Sequence, residues 1–127
     1  MTVSPGSGPG FAAGGNLRLS FNDPVPSGGF FSVSATVRNP TSRAIDANLV
    51  FNTPGRSSIR TLGAGCQKLS DEVVECRVEG IGPNGSGDTF VQYNVPVVSA
   101  PTSIRGSVTL VSRDFSPVAN YSTTVEP

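Results

Sequence analysis

Apolar residues recur at every second position in short runs, and each run ends in a cluster of Gly, Pro, Asn, Asp or Ser. Leu17, Leu19 and Phe21 alternate with Arg18 and Ser20, and Phe31, Val33, Ala35 and Val37 alternate with Ser32, Ser34, Thr36 and Arg38. Ile45, Ala47, Leu49 and Phe51 repeat the pattern against Asp46, Asn48 and Asn52. It returns at Val91, Tyr93 and Val95, at Ile104, Val108 and Leu110, and at Tyr121, Thr123 and Val125. A strand turns successive side chains to opposite faces, so such a run buries one face and wets the other. The breaks read "NDPVPSGG", "NPTSRA", "TPGRSS", "GIGPNGSGD", "PVVSAPTS" and "RDFSPVAN", all rich in turn formers. No segment carries the 3.6-residue period of an amphipathic helix. Seven to nine strands at this spacing predict an all-β fold, a sandwich of two sheets, with a closed barrel as the lesser alternative.

A chain of 127 residues fits one domain. Gly (15) and Pro (11) suit many short strands joined by turns. Residues 1–16, "MTVSPGSGPGFAAGGN", read as a Gly/Pro-rich arm or linker, and 17–127 as the sandwich domain. The arm contains a GxGxxA pattern at Gly8, Gly10 and Ala13. No strand pattern precedes it and no helical pattern follows, so a dinucleotide site is discounted.

Cys66 and Cys76 are the two cysteines of the chain. With Leu69 and Val73 flanking a turn at Ser70, Asp71 and Glu72, antiparallel pairing sets Lys68 opposite Val74, Gln67 opposite Glu75 and Cys66 opposite Cys76. Opposed residues have Cβ atoms about 4.5–5.5 Å apart, close to what a disulfide needs. A zinc site requires four ligands, and a redox pair is usually Cys-x-x-Cys at a helix start. A structural disulfide is the reading adopted, with free thiols as its rival. A lasting disulfide implies an oxidising compartment, outside the cell or on a virion.

Several functions are disfavoured. Nine basic and nine acidic residues cancel, and no basic stripe exists to track phosphates, so nucleic acid is not an expected partner. Histidine is absent, which removes Ser-His-Asp and Cys-His catalysis. Membrane insertion is not expected, because no apolar run nears the roughly 20 residues of a spanning helix. The N-terminus lacks the basic and apolar regions of a signal peptide. The carboxylates are scattered over turns and outer faces and suggest no acid/base pair, although Asp23, Asp88 or Asp114 could serve a loop calcium site. No enzyme activity, cofactor or metal is expected.

Lys68, the one lysine, could be an isopeptide donor only if buried beside an acid; a packed stem with a wet head is the simpler reading. Asn84-Gly85-Ser86 and Asn120-Tyr121-Ser122 are formal glycosylation sequons, and Asn84-Gly85 is more simply a turn. Trp is absent, so a sugar-stacking platform would need Tyr93, Tyr121 or a Phe. Phe31 belongs to the core face, which leaves Phe30 outward. Phe30 and Phe11 of the arm are the partner-contact candidates.

Three stretches together resemble a known family. They are "SVSATVRNPTSRAIDANLVFNTP", "GCQKLSDEVVECRVEGIGPNGSGDTFVQYNVPV" and "VTLVSRDFSPVANYSTTVEP", the last with an Asp114, Pro117, Asn120 loop. In order, from about Phe31 to Glu126, they resemble the "domain of unknown function eleven" repeats of bacterial surface proteins. The resemblance implies an immunoglobulin-like sandwich without catalytic residues, used as a spacer or exposed module. The long arm and the lack of a second repeat depart from that pattern. The expectation is a structural or adhesive module on an extracellular assembly: a virion or filament subunit, or a cell-surface domain. Its partners would be protein neighbours, including copies of itself, met through the arm or a sheet edge. The alternative is a carbohydrate-binding module with a glycan partner.

Overall fold

A computed structural model describes residues 8–53, 58–112 and 116–127. These residues form eleven strands and no helix: β1 (Gly8–Gly14), β2 (Leu17–Asp23), β3 (Val25–Pro26), β4 (Phe30–Arg38), β5 (Ile45–Asn52), β6 (Ser58–Leu62), β7 (Cys66–Lys68), β8 (Val73–Ile81), β9 (Ser86–Asn94), β10 (Thr102–Val111) and β11 (Val118–Glu126). They pair as a five-stranded sheet, β1-β2-β4-β9-β6, and a six-stranded sheet, β3-β11-β10-β5-β8-β7. The fold is a β-sandwich. Every pairing is antiparallel except β3 with β11, which is parallel.

The strand count exceeds the seven to nine expected from the sequence because two further segments pair. The first is β1, inside the stretch read as an arm. Gly14 faces Leu17 across a two-residue turn in which Gly15 takes φ +57°. Positive φ at that position matches the twist of a tight hairpin, and Gly adopts it without a steric penalty. Pro9 is tolerated because β1 is an edge strand. The second is β3, within "NDPVPSGG", where buried Val25 pairs with Val125.

The alternating runs pack face to face. Leu17, Leu19, Phe31, Val33, Val37, Val91 and Tyr93 from one sheet meet Leu49, Phe51, Val74, Val108, Leu110, Tyr121 and Val125 from the other. Phe21, Phe31, Tyr93 and Tyr121 form its aromatic centre, with ring centroids 5.6–6.2 Å apart. Each fully buried large side chain contributes about 1.5–3 kcal/mol of burial. Gly106 of β10 faces Tyr121 in register, and the phenol occupies the space a Cβ would need.

Two polar devices hold the ends. Asn39, fully buried after β4, donates from Nδ2 to the carbonyls of Arg43 (2.7 Å), Ile81 (2.8 Å) and Gly82 (3.1 Å). Its Oδ1 accepts from the Thr41 amide at 2.9 Å and the Thr41 hydroxyl at 2.6 Å. The "NPTSRA" loop is thereby bound to the β8–β9 turn. Near the other edge, Cys66 and Cys76 sit directly opposite and are joined by a disulfide. Thr89, on the facing sheet, lies 3.1 Å from the Cys66 sulfur and donates its hydroxyl to it, because a disulfide sulfur has no proton to give.

Candidate functional site: the outer face of the five-stranded sheet

The outward residues of β2, β4 and β9 fall into rows across the sheet. Arg18 lies opposite Thr36, and Thr36 opposite Asp88. One step along, Ser20 faces Ser34, and Ser34 faces Phe90. At one end of the face Arg38 is opposite Ser86, and at the other Phe30 is opposite Asn94. Hydroxyls, amides and guanidinia dominate this surface. Among the described residues, Phe30 and Phe90 are its exposed rings, and the Arg60 guanidinium lies 5.1 Å from the Phe30 ring centre. At that distance the cation meets the negative face of the ring.

The end near the β1–β2 turn carries a concavity of about 320 Å³, lined by Gly15, Asn16, Arg18, Thr36, Arg38, Asn84 and Ser86. Two turns, β1–β2 and β8–β9, meet the end of β4 to build it. Asn16 closes the β1–β2 hairpin and donates from Nδ2 to the Arg38 carbonyl at 2.8 Å, while the Arg38 amide donates to the Asn16 carbonyl at 3.0 Å. Asn84 sits at φ +59°, a conformation Asn tolerates better than most residues, and its amide donates to the Asn39 carbonyl at 2.9 Å. The buried Asn39 therefore sets the position of the Asn84 side of the rim.

The guanidinia of Arg18 and Arg38 have no ion-pair partner among the described residues. The described ion pairs lie elsewhere. Lys68 Nζ meets Asp71 at 2.8 Å, and Arg77 meets Glu79 at 2.8 Å and Asp46 at 3.9 Å. The hydrogen bond and charge of Lys68 hold the Asp71 carboxyl below its usual range. The chain is neutral in total, but these pairs sit on the six-stranded sheet and its β7–β8 hairpin. The charged side chains described on the other face are Arg18, Arg38, Arg60 and Asp88, an excess of positive charge.

Other residues singled out from the sequence fall as follows. Phe30 is 43% exposed. Phe11 lies in β1 with its backbone opposite Ser20, but its side chain lies outside the described set. Lys68 is exposed on its hairpin, which removes the burial an isopeptide lysine requires. Asn84 and Asn120 are exposed. Asp23 accepts from the Thr123 hydroxyl at 3.0 Å, Asp88 stands on the open face, and Asp114 lies outside the described residues. Among the described residues, no three Cys, Asp or Glu come together as a metal-binding group. Tyr93 and Tyr121 are buried and unavailable for sugar stacking. Burial raises both phenols above the usual tyrosine range, so they remain neutral hydroxyls.

Sequence reasoning missed Asn16, Arg18, Arg38, Asn39 and Asn84 as a group. The alternation places Arg18 and Arg38 on outer faces. Only the pairing of β2 with β4 makes them neighbours.

No protein-family model matches the chain, and no curated protein matches it in sequence. In shape it is similar to a cohesin module from a family 33 glycoside hydrolase of Clostridium perfringens. That match has a TM-score of 0.56 at 12% identity and covers 91% of this chain and 98% of that one. It is also similar to the collagen-binding domain of a Staphylococcus aureus adhesin. There the TM-score is 0.54 at 10% identity, over 99% of this chain and 100% of that one. At such identities the likeness is one of fold: a two-sheet sandwich of this size.

Proposed function

We propose that the protein is a non-catalytic interaction module that works outside the cell and binds a protein partner through the outer face of its five-stranded sheet. The observation that carries this is the face itself: broad, polar, cationic and recessed at one end. Mixed polar and aromatic surfaces with arginine are the usual composition of protein contacts. The disulfide supports an extracellular setting, since such bonds persist in oxidising compartments. The cohesin module and the collagen-binding domain, two structures similar in fold, are binding modules, which supports the reading.

Within it, the domain acts as a rigid unit of a surface or particle assembly. The resemblance to the "domain of unknown function eleven" repeats favours a bacterial cell-surface module over a virion or filament subunit. Copies of the chain count among its partners. β1 and β6, the edges of the binding sheet, offer backbone groups to a neighbouring strand.

The test is site-specific photo-crosslinking in the organism that makes the protein. A crosslinking residue at Ser34 should capture a protein. The same residue at Asn120, on the opposite sheet, should not. Capture from Asn120 alone, or from neither, would sink the assignment. A glycan-array hit abolished by Phe30→Ala would replace it with a carbohydrate-binding module.

A further inference from the structure

We infer that the Arg18/Arg38 concavity is a carboxylate-binding site that receives an acidic side chain presented by the protein partner. This rests on the proposed function and specifies the chemistry of its contact. Arg18 faces Thr36, so Arg38, two residues further along β4, is its diagonal neighbour. Diagonal positions lie about 7–8 Å apart at the backbone, within reach of two long side chains converging on one group. Like charges at that spacing repel; neither arginine makes an ion pair among the described residues, and Asp88, diagonal to Arg38, offsets only part of the repulsion. An anion between them would relieve it.

The lining selects the kind of anion. Guanidinium presents a planar fork that matches a carboxylate in a bidentate pair. Thr36, Ser86, Asn16 and Asn84 add short hydroxyl and amide groups around the rim. No aromatic ring of the described residues lines the concavity, so they offer a sugar ring no stacking surface. Its volume suits one or two side chains. Asp88, opposite Thr36 and diagonal to Arg38, stands outside the lining and makes no ion pair with either arginine. It opposes an incoming carboxylate.

The experiment is an amide-resolved NMR titration of the whole chain with a hexaglutamate peptide. Hexaglutamine, acetate at equal carboxylate concentration and a sulfated heparin fragment are run in parallel. Saturable shifts confined to residues 15–18, 36–38 and 84–86 are expected with hexaglutamate, at least tenfold weaker with acetate and absent with hexaglutamine. Arg18→Gln/Arg38→Gln, two exposed changes whose folding is checked by circular dichroism, should reduce the affinity at least tenfold. Asp88→Asn should raise it a few-fold. Shifts spread over the surface, indifference to the double variant, or equal response to acetate would each overturn the inference. Tighter binding of the heparin fragment would overturn it in favour of an anionic glycan. Crosslinking from Ser34 in the double variant separates the two claims: a partner captured there as well as in the wild type defeats the carboxylate site and leaves the interaction face standing.

Discussion

The Asn39 side chain donates to the Ile81 carbonyl at 2.8 Å across a separation of 42 residues, inside a site with no access to water. The two N–H groups of that amide reach three carbonyls, one of them shared, and its Oδ1 accepts from one amide and one hydroxyl. Asn39→Ala should cost about 2–4 kcal/mol, because the buried partners are left without donors. Asn39→Asp should cost more, since a carboxylate accepts and cannot donate. Urea denaturation measures both. A loss under about 0.5 kcal/mol would show that water replaces the amide there.

Cys66 and Cys76 close a short loop of sequence separation 10. Opening it should cost about 3 kcal/mol in the chain-entropy model. The paired Cys66→Ala/Cys76→Ala chain and the reduced wild type should unfold at similar urea concentrations, both below the oxidised protein. A wild type whose midpoint ignores reductant would contradict the staple.

Gly65 and Gly82 should respond oppositely to alanine. Gly65 sits at φ +76°, and a Cβ there would come within 2.6 Å of the Arg77 carbonyl oxygen. Gly65→Ala should therefore destabilise by about 1–3 kcal/mol. Gly82 has open space around its missing Cβ and no positive φ. Gly82→Ala should be neutral or stabilise by up to about 1 kcal/mol through the unfolded chain. Equal effects at both positions would refute the packing seen around Gly65.

The buried phenols predict an alkaline limit. Desolvation raises the pKa of Tyr93 and Tyr121 above the ordinary 10.0, so the folded state keeps their protons when the unfolded chain has lost them. Their contribution is whole below pH 10 and is lost as pH rises above it. Tyrosinate absorbance should appear only together with unfolding; ionisation in the folded protein would overturn this. The two residues also differ. The Tyr121 hydroxyl bonds that of Thr53, whereas the Tyr93 hydroxyl has no hydrogen-bond partner among the described residues. Tyr121→Phe should cost about 1 kcal/mol, and Tyr93→Phe should cost nothing or stabilise.

The strands that were legible in the sequence are those whose alternation is strict. β2, β4, β5 and β11 bury every second side chain, and their patterns survive burial on one face only. The pairing of Cys66 with Cys76 was legible because a turn of fixed length sets register. β1 was not, since Gly and Pro carry no periodic signal and the strand is held by backbone bonds to β2. β3 was hidden because two residues are too few for a period. The concavity was out of reach for a different reason. It draws on residues 15–18, 36–38 and 84–86, and only sheet topology brings them together.

Gly8 lies beside Asp23, and Val25 beside Val125, so the first and last described residues leave the sandwich at the same end. The Gly15–Asn16 turn and the concavity stand at the other, about 20 Å away along β2. Anything that tethers this domain by the backbone near Gly8 or Glu126 holds it like a post planted at its base, with the two arginines carried at the tip.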